Sequence, residues 1–292
     1  MKPYEWMVTY TPQTEWVERK GILIWLSFYA GILGGGSYLA SLYFNNLWGM
    51  FISWLIILVL KGGFHIAHAK KSLKLWRMIL RPQTSWISRG LILTILVIGF
   101  GAIQLAFSYW LPGTAGEIVF KVLTGITAFG LITYTGFVMN YVHSIPFWNS
   151  AILPALFIVW GILSGLGIVM AIGLGVADVD IKAVAAGSIV SLITVLILIA
   201  LYLWTATYAG PTARQSVRGL TRGYMALVSG IGVVFCGILI PLAISLLSYF
   251  GGNIPAPSLA ILFIVCEIIG GLAFTYSVLK VGVYGPLIPT RA

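Results

Sequence analysis

An all-α integral membrane protein of eight transmembrane helices is the fold class predicted by this sequence. Three observations predict it. Of 292 residues, 60% are hydrophobic and only 8% are charged, against about 25% charged in soluble domains. So few polar groups cannot cover a surface facing water, whereas lipid requires an apolar one. Eight apolar stretches of about 20–27 residues are each long enough to cross a bilayer with some tilt. The connections between them are short, and none has room for a soluble domain.

The first span, near Gly21–Phe44, starts behind Arg19 and Lys20. It lacks a small-residue cleavage site, so it reads as a span and not as a signal peptide. The second, near Trp48–His68, carries Lys61, His65 and His68. A basic connection, Ala69–Ile87, leads to the third span near Ser88–Trp110, and the fourth lies near Glu117–Val142. The fifth and sixth lie near Ser150–Gly175 and Lys182–Tyr208. After Ala209–Gly223 come the seventh, near Tyr224–Tyr249, and the eighth, near Pro257–Gly282, which embeds Glu267. Residues 1–292 therefore read as a single membrane domain. Trp25 to Tyr38 and Trp160 to Met170 both run from a Trp into closely spaced glycines, an echo that suits two four-helix bundles.

An even number of spans puts both termini on one side. Fourteen of the 17 Lys and Arg residues fall on that side, with only Lys121 and Lys182 opposite and Lys61 inside a span. The positive-inside rule then places the termini in the cytoplasm and the protein in the cell's inner membrane. The net charge of +10 is thus a topological signal, and no nucleic-acid partner is inferred from it. Cys236 and Cys266, both within apolar runs, cannot ligate an iron–sulfur cluster by themselves. One bis-histidine haem at most could be built, from His143 with His65 or His68; the expectation is neither haem nor cluster in this protein.

Ionisable groups inside spans are costly, so they mark either sites or internal pairs. Lys61, His65 and His68, spaced i, i+4, i+7, share one helix face. They read as a hydrogen-bonding or proton-conducting face at the rim of a ligand pocket, or as a snorkelling lysine with two interfacial histidines. Glu267 is the one deeply embedded carboxylate and is expected protonated or paired, Lys61 being a candidate partner. Tyr134 and His143 lie toward the same membrane side, as do Trp25 and Tyr29 in the first span. Gly31, Gly34, Gly35 and Gly36 read as small residues that let helix backbones approach closely.

Four stretches in order resemble the NrfD/PsrC-type membrane subunits of respiratory molybdoenzymes, the polysulfide reductase anchor family. They are Gln13-Thr14-Glu15-Trp16 with GILGGGSYL from Gly31; WRMILRPQTSWISRG from Trp76 to Gly90; YTG at Tyr134 with PFWNSAILPALF from Pro146; and GGLAFTYSVLKVGVYGPL from Gly270. The sequence departs from the family at Lys70-Lys71-Ser72, where Gly-Arg-Pro is frequent, and at Thr275, where Arg is common. At a position where the family often has Asp or His, it has His68.

The resemblance implies a subunit without its own redox centre that binds a quinone (menaquinone or ubiquinone) near one membrane face. It also implies a docked iron–sulfur subunit and, beyond that, a molybdopterin catalytic subunit. On this reading Trp25, Tyr29, His65, His68, Tyr134 and His143 are the quinone-binding candidates. Lys61 and Glu267 would serve a proton path, while Lys70, Lys71, Lys74, Arg77, Arg81 and Arg89 would dock the partner. The competing expectation is a proton channel or secondary transporter without redox chemistry.

Overall fold

A computed structural model describes residues 16–69, 72–173, 179–251 and 256–285. The Gln13–Glu15 part of the first motif and Lys70 and Lys71 of the basic connection lie outside the described residues, as does the side chain of Lys74. Among the described residues, eight helices are long and apolar enough to cross a membrane. In order they are α1 (Gly21–Tyr43), α2 (Leu47–His68), α3 (Trp86–Trp110), α4 (Ala115–Asn140), α5 (Ile152–Ile172) and α6 (Ile181–Tyr208), then α8 (Gly223–Gly251) and α9 (Pro257–Val281). A shorter helix, α7 (Pro211–Leu220), links α6 to α8. The protein is a multi-pass, all-helical membrane protein.

Short polar signals set several helix starts. Asn46, Ser85, Thr114 and Asp180 each accept a backbone N–H three residues on, at α2, α3, α4 and α6 respectively. Glu117 also accepts the N–H of Gly113, the residue before the α4 N-cap, at 2.6 Å. Two spans depart from α geometry: α2 widens into a π segment over Ile56–Lys61 and α8 over Val228–Leu239. Such wide turns are rare and concentrate at functional positions.

The spans sort into two groups, α1–α4 and α5, α6, α8, α9, with α1 at the seam. Its most extensive contact is with α2, followed by α5, and it also packs on α4 and α9. Its glycines face different neighbours: Gly34 meets Ile57 of α2, Gly35 meets Ile132 and the Ala128 carbonyl of α4, and Gly36 meets the backbone of Gly161 on α5. In the second group Gly270 of α9 lies against Gly237 of α8 in the same backbone-on-backbone manner.

The motif stretches find each other in space. Gly90 lies under the ring of Tyr134, and Gly136 lies on Pro154. Trp148 donates to the Val278 carbonyl at 2.7 Å, and Gly282 sits against its indole. Trp160 stacks on Phe274 with centroids 4.8 Å apart. At the end of the first group opposite the histidines, Tyr38 donates to Gln104, Gln104 to Ser108 (2.7 Å) and Ser108 to Glu117 (2.7 Å). Glu117 pairs with Lys121 at 2.7 Å, and Lys121 donates to Asn45 at 2.8 Å. That run ties α1, α3 and α4 together.

A methyl group on Gly36 would fall inside the Gly161 carbonyl, whereas one on Gly63 meets nothing within 4 Å. Gly36→Ala is therefore predicted to cost about 1–3 kcal/mol and to lower the thermal unfolding midpoint in detergent by several degrees. Gly63→Ala should leave the midpoint unchanged.

Candidate functional site

The rim begins with the geometry of α1. Positions two apart on an α-helix are separated by about 200°, so Ser27 and Gly31 occupy one face while Trp25 and Tyr29 occupy the other. The polar residues singled out in the sequence consequently form two clusters, one on each side of α1.

The first cluster lies between α1, α2 and α4. Lys61, only 2% exposed, donates from Nζ to Ser27 Oγ at 3.2 Å. Ser27 Oγ also lies 2.9 Å from His65 Nδ1. Lys61 Nζ sits 5.3 Å from the Tyr134 ring centroid and 5.6 Å from that of Phe28, within cation–π distance when charged. Gly31 gives the aliphatic stem of Lys61 room to lie along α1; a methyl there would touch it at 3.4 Å. Tyr134, also 2% exposed, is pressed into place by Gly90 of α3 and meets Phe28 edge-on at 6.4 Å. Trp16 covers Phe28 from outside and packs edge-on to Trp148.

His65 and His68 are not buried. His68 Nδ1 lies 3.0 Å from the Lys20 carbonyl, so Lys61, His65 and His68 all turn toward α1. His143 does not join them. It is exposed on the connection after α4, with Nδ1 3.1 Å from the Asn149 amide, and no hydrogen bond or ring contact links it to the cluster among the described residues.

The second cluster lies near mid-depth between α1, α5 and α9. Glu267, 1% exposed, accepts from Ser164 at 3.1 Å. Around it, Tyr29 and the Trp160 Nε1 both press on Gly271. The other Glu267 carboxylate oxygen, the Tyr29 hydroxyl and the Trp160 N–H are buried without a hydrogen bond of full geometry among the described residues. Trp25, on the same face of α1 as Tyr29, donates to the Leu272 carbonyl at 3.0 Å and packs edge-on to Tyr276. Trp25 and Tyr29 therefore belong to this side, away from the histidines.

Of the two alternatives the sequence leaves for Glu267, protonated or paired, a pair with Lys61 is not formed among the described residues. Each has a hydroxyl partner instead, Ser27 and Ser164, and helix α1 stands between them. Sequence reading also missed Ser27, the hub of the first cluster. The signal that points to it is its i, i+4 register with Gly31, which puts a hydroxyl and a clearing on one face.

Among the docking candidates, Arg77 and Arg81 lie on the connection before α3, where Arg81 is exposed. Arg89 is not free: it donates to the Pro82 and Gln83 carbonyls at 2.7 and 2.8 Å and stacks on Trp86. No group of three or more potential metal-ligating side chains is gathered among the described residues.

An eight-span helical bundle with two histidines at the rim of one face defines a multi-pass membrane protein. The family profile described as polysulphide reductase, NrfD, matches residues 21–283; the protein belongs to the NrfD family. It is also similar to the C subunit of the polysulfide reductase of Wolinella succinogenes, 29% identical over 131 residues. That match spans 43% of this sequence and 41% of the relative, well under two thirds of either.

Because the two buried ionisable groups have separate partners, Lys61→Met and Glu267→Gln should be additive. The double variant's change in unfolding free energy should equal the sum of the single changes within about 0.5 kcal/mol. A larger coupling measured by denaturant titration would mean that the two communicate across α1.

Proposed function

We propose that the protein is a quinone-reactive membrane anchor, passing electrons between the quinone pool and an iron–sulfur subunit of a molybdopterin oxidoreductase complex. One observation carries the reading. In a member of the NrfD family, a connected array, Lys61–Ser27–His65, is packed over Tyr134 and Phe28 at one membrane face. The Wolinella relative is named as one polypeptide of a reductase, which supports a subunit that works beside others.

The residues at the rim suit a flat ring with two oxygens. Phe28 and Tyr134 supply aromatic walls, while His65, His68 and Lys61 supply groups that exchange protons. When bound, the quinone supplies reversible two-electron, two-proton chemistry. With Nδ1 held by Ser27, His65 keeps Nε2 for a ring oxygen; His68, with Nδ1 at the Lys20 carbonyl, does the same nearer the surface. Tyr134 donates from the buried side. A proton arriving at His65 has two outlets, inward through Ser27 to the neutral amine of Lys61 or outward past His68. Trp25, Tyr29 and His143 take no direct part in this reading, and Glu267 lies off the path on the other face of α1.

Electrons leave through the partner. Arg77 and Arg81 lie on the connection before α3, whose sequence also carries Lys70, Lys71 and Lys74, and cationic charge of this kind steers and orients an acidic partner. Arg89 acts within the loop by holding its shape. The charge distribution favours docking on the cytoplasmic side.

The mid-depth cluster of Glu267, Ser164, Tyr29 and Trp160 favours a second reading. In it the protein moves protons or a solute across the bilayer without redox chemistry, as buried carboxylates do in transporters.

The two readings separate experimentally. In membranes carrying the complex, His65→Ala and Tyr134→Phe should lower quinol-dependent turnover roughly 10²-fold, the low end of general acid–base effects. Subunit copurification should persist, and His143→Ala should retain wild-type rates. Full turnover in both rim variants would remove the assignment. Solute or proton flux into liposomes holding the protein alone, abolished by Glu267→Gln, would instead establish the second reading.

A further inference from the structure

Independently of the quinone reading, an apolar groove of about 380 Å³ opens between α6, α8 and α9, near their ends on the basic side of the protein. Ile199 and Leu203 of α6, Val233 and Val234 of α8, and Phe274 of α9 wall it, and Leu220 and Thr221 at the end of α7 stand at its mouth. Within the groove, Ser277 is 2% exposed and its hydroxyl has no hydrogen-bond partner among the described residues. Ser277 lies four residues before the end of α9, about 6 Å along the helix axis. Lipid ester carbonyls occupy that shallow zone beneath the headgroups.

Arg214, Arg218 and Arg222 lie alongside. The first two follow i, i+4 on α7, and Arg222 comes another four positions on, just past the helix. Like charges at this spacing repel one another. Among the described residues no carboxylate comes within ion-pair distance of any of them. Arg214 donates to the Thr207 carbonyl at 3.1 Å, while Arg218 and Arg222 make no side-chain hydrogen bond among the described residues. Their positions bracket Leu220 and Thr221 at the mouth of the groove. The buried face of α7, Thr212, Ala213 and Ser216, lies against the bundle, which leaves the arginines at headgroup level, as in an interfacial amphipathic helix.

We infer that this place is a binding site for an anionic phospholipid. An acyl tail fills the groove, Ser277 donates to an ester carbonyl, and the phosphate lies between Arg218 and Arg222. The groove distinguishes this from a plain phosphate site, because a free phosphate uses only the arginines. The chemistry also distinguishes it from a second quinone site: no imidazole, amine or carboxylate lines the groove among the described residues, and the Tyr202 hydroxyl is engaged by the Phe147 carbonyl at 2.7 Å. Basic pockets between transmembrane helices on the cytoplasmic side are suited to such headgroups.

The test is native mass spectrometry of the full-length protein released from nanodiscs of equimolar phosphatidylglycerol and phosphatidylcholine. The wild type should retain phosphatidylglycerol selectively. Replacing Arg218 and Arg222 by Gln should weaken retention about fivefold per arginine. Gly230 lines the groove and a methyl there meets nothing within 4 Å. Gly230→Leu should therefore fold normally, fill the groove and abolish retention with the arginines intact. Equal retention of both lipids by the wild type would overturn the proposal. So would unchanged phosphatidylglycerol in the Gly230→Leu variant, or displacement of the lipid by millimolar inorganic phosphate alone. Loss of copurifying subunits in the arginine variant with lipid retention intact would assign the stripe to an acidic protein surface instead.

Discussion

Helix α1 can stand at the seam of the bundle because its middle is almost without side chains. Hydrophobic burial gives helices in lipid little reason to associate, so packing distance decides what holds. Gly34, Gly35 and Gly36 each admit a different neighbour, from α2, α4 and α5, and one helix thereby touches both groups of spans. The polar chemistry depends on this arrangement. With neighbours on several sides, α1 presents Ser27 to one buried compartment and Tyr29 to another, and each compartment gathers its own ionisable residue.

The two compartments differ in character. Around Lys61 the polar atoms are linked in series and lead, through His65 and His68, toward the membrane face. Around Glu267 a carboxylate, a phenol and an indole converge near mid-depth with one clear hydrogen bond, from Ser164. Linked donors and acceptors close to a membrane face suit proton exchange with a ligand, whereas the Glu267 group is enclosed between three helices. The asymmetry explains why a ligand-binding reading attaches to the first compartment.

Much of this was legible in the residues. Eight apolar runs and a one-sided charge distribution specify the spans because lipid leaves the backbone few other solutions. The i, i+4, i+7 spacing of Lys61, His65 and His68 announces their common face. What could not be read was which neighbour each face of α1 would meet. Trp25 and Tyr29 share a membrane level with the histidines, yet depth along a helix says nothing of azimuth, and they turn toward α9. The supposed Lys61–Glu267 pair failed for the same reason. Arg89 looked like part of a docking surface until the carbonyls of Pro82 and Gln83 claimed it; such loop contacts depend on a turn geometry that composition does not encode.

The hydrogen-bonded run from Tyr38 to Asn45 acts at the far end of the first group of spans. It rivets α1, α3 and α4 there, while near the histidines α2 rests on α1 through a lysine stem, a serine and an imidazole. The far end of this group is thus closed by a carboxylate, an amide and an amine, while the histidine end meets its surroundings through imidazole nitrogens. The two ends of one helix group therefore offer different chemistry to whatever lies outside.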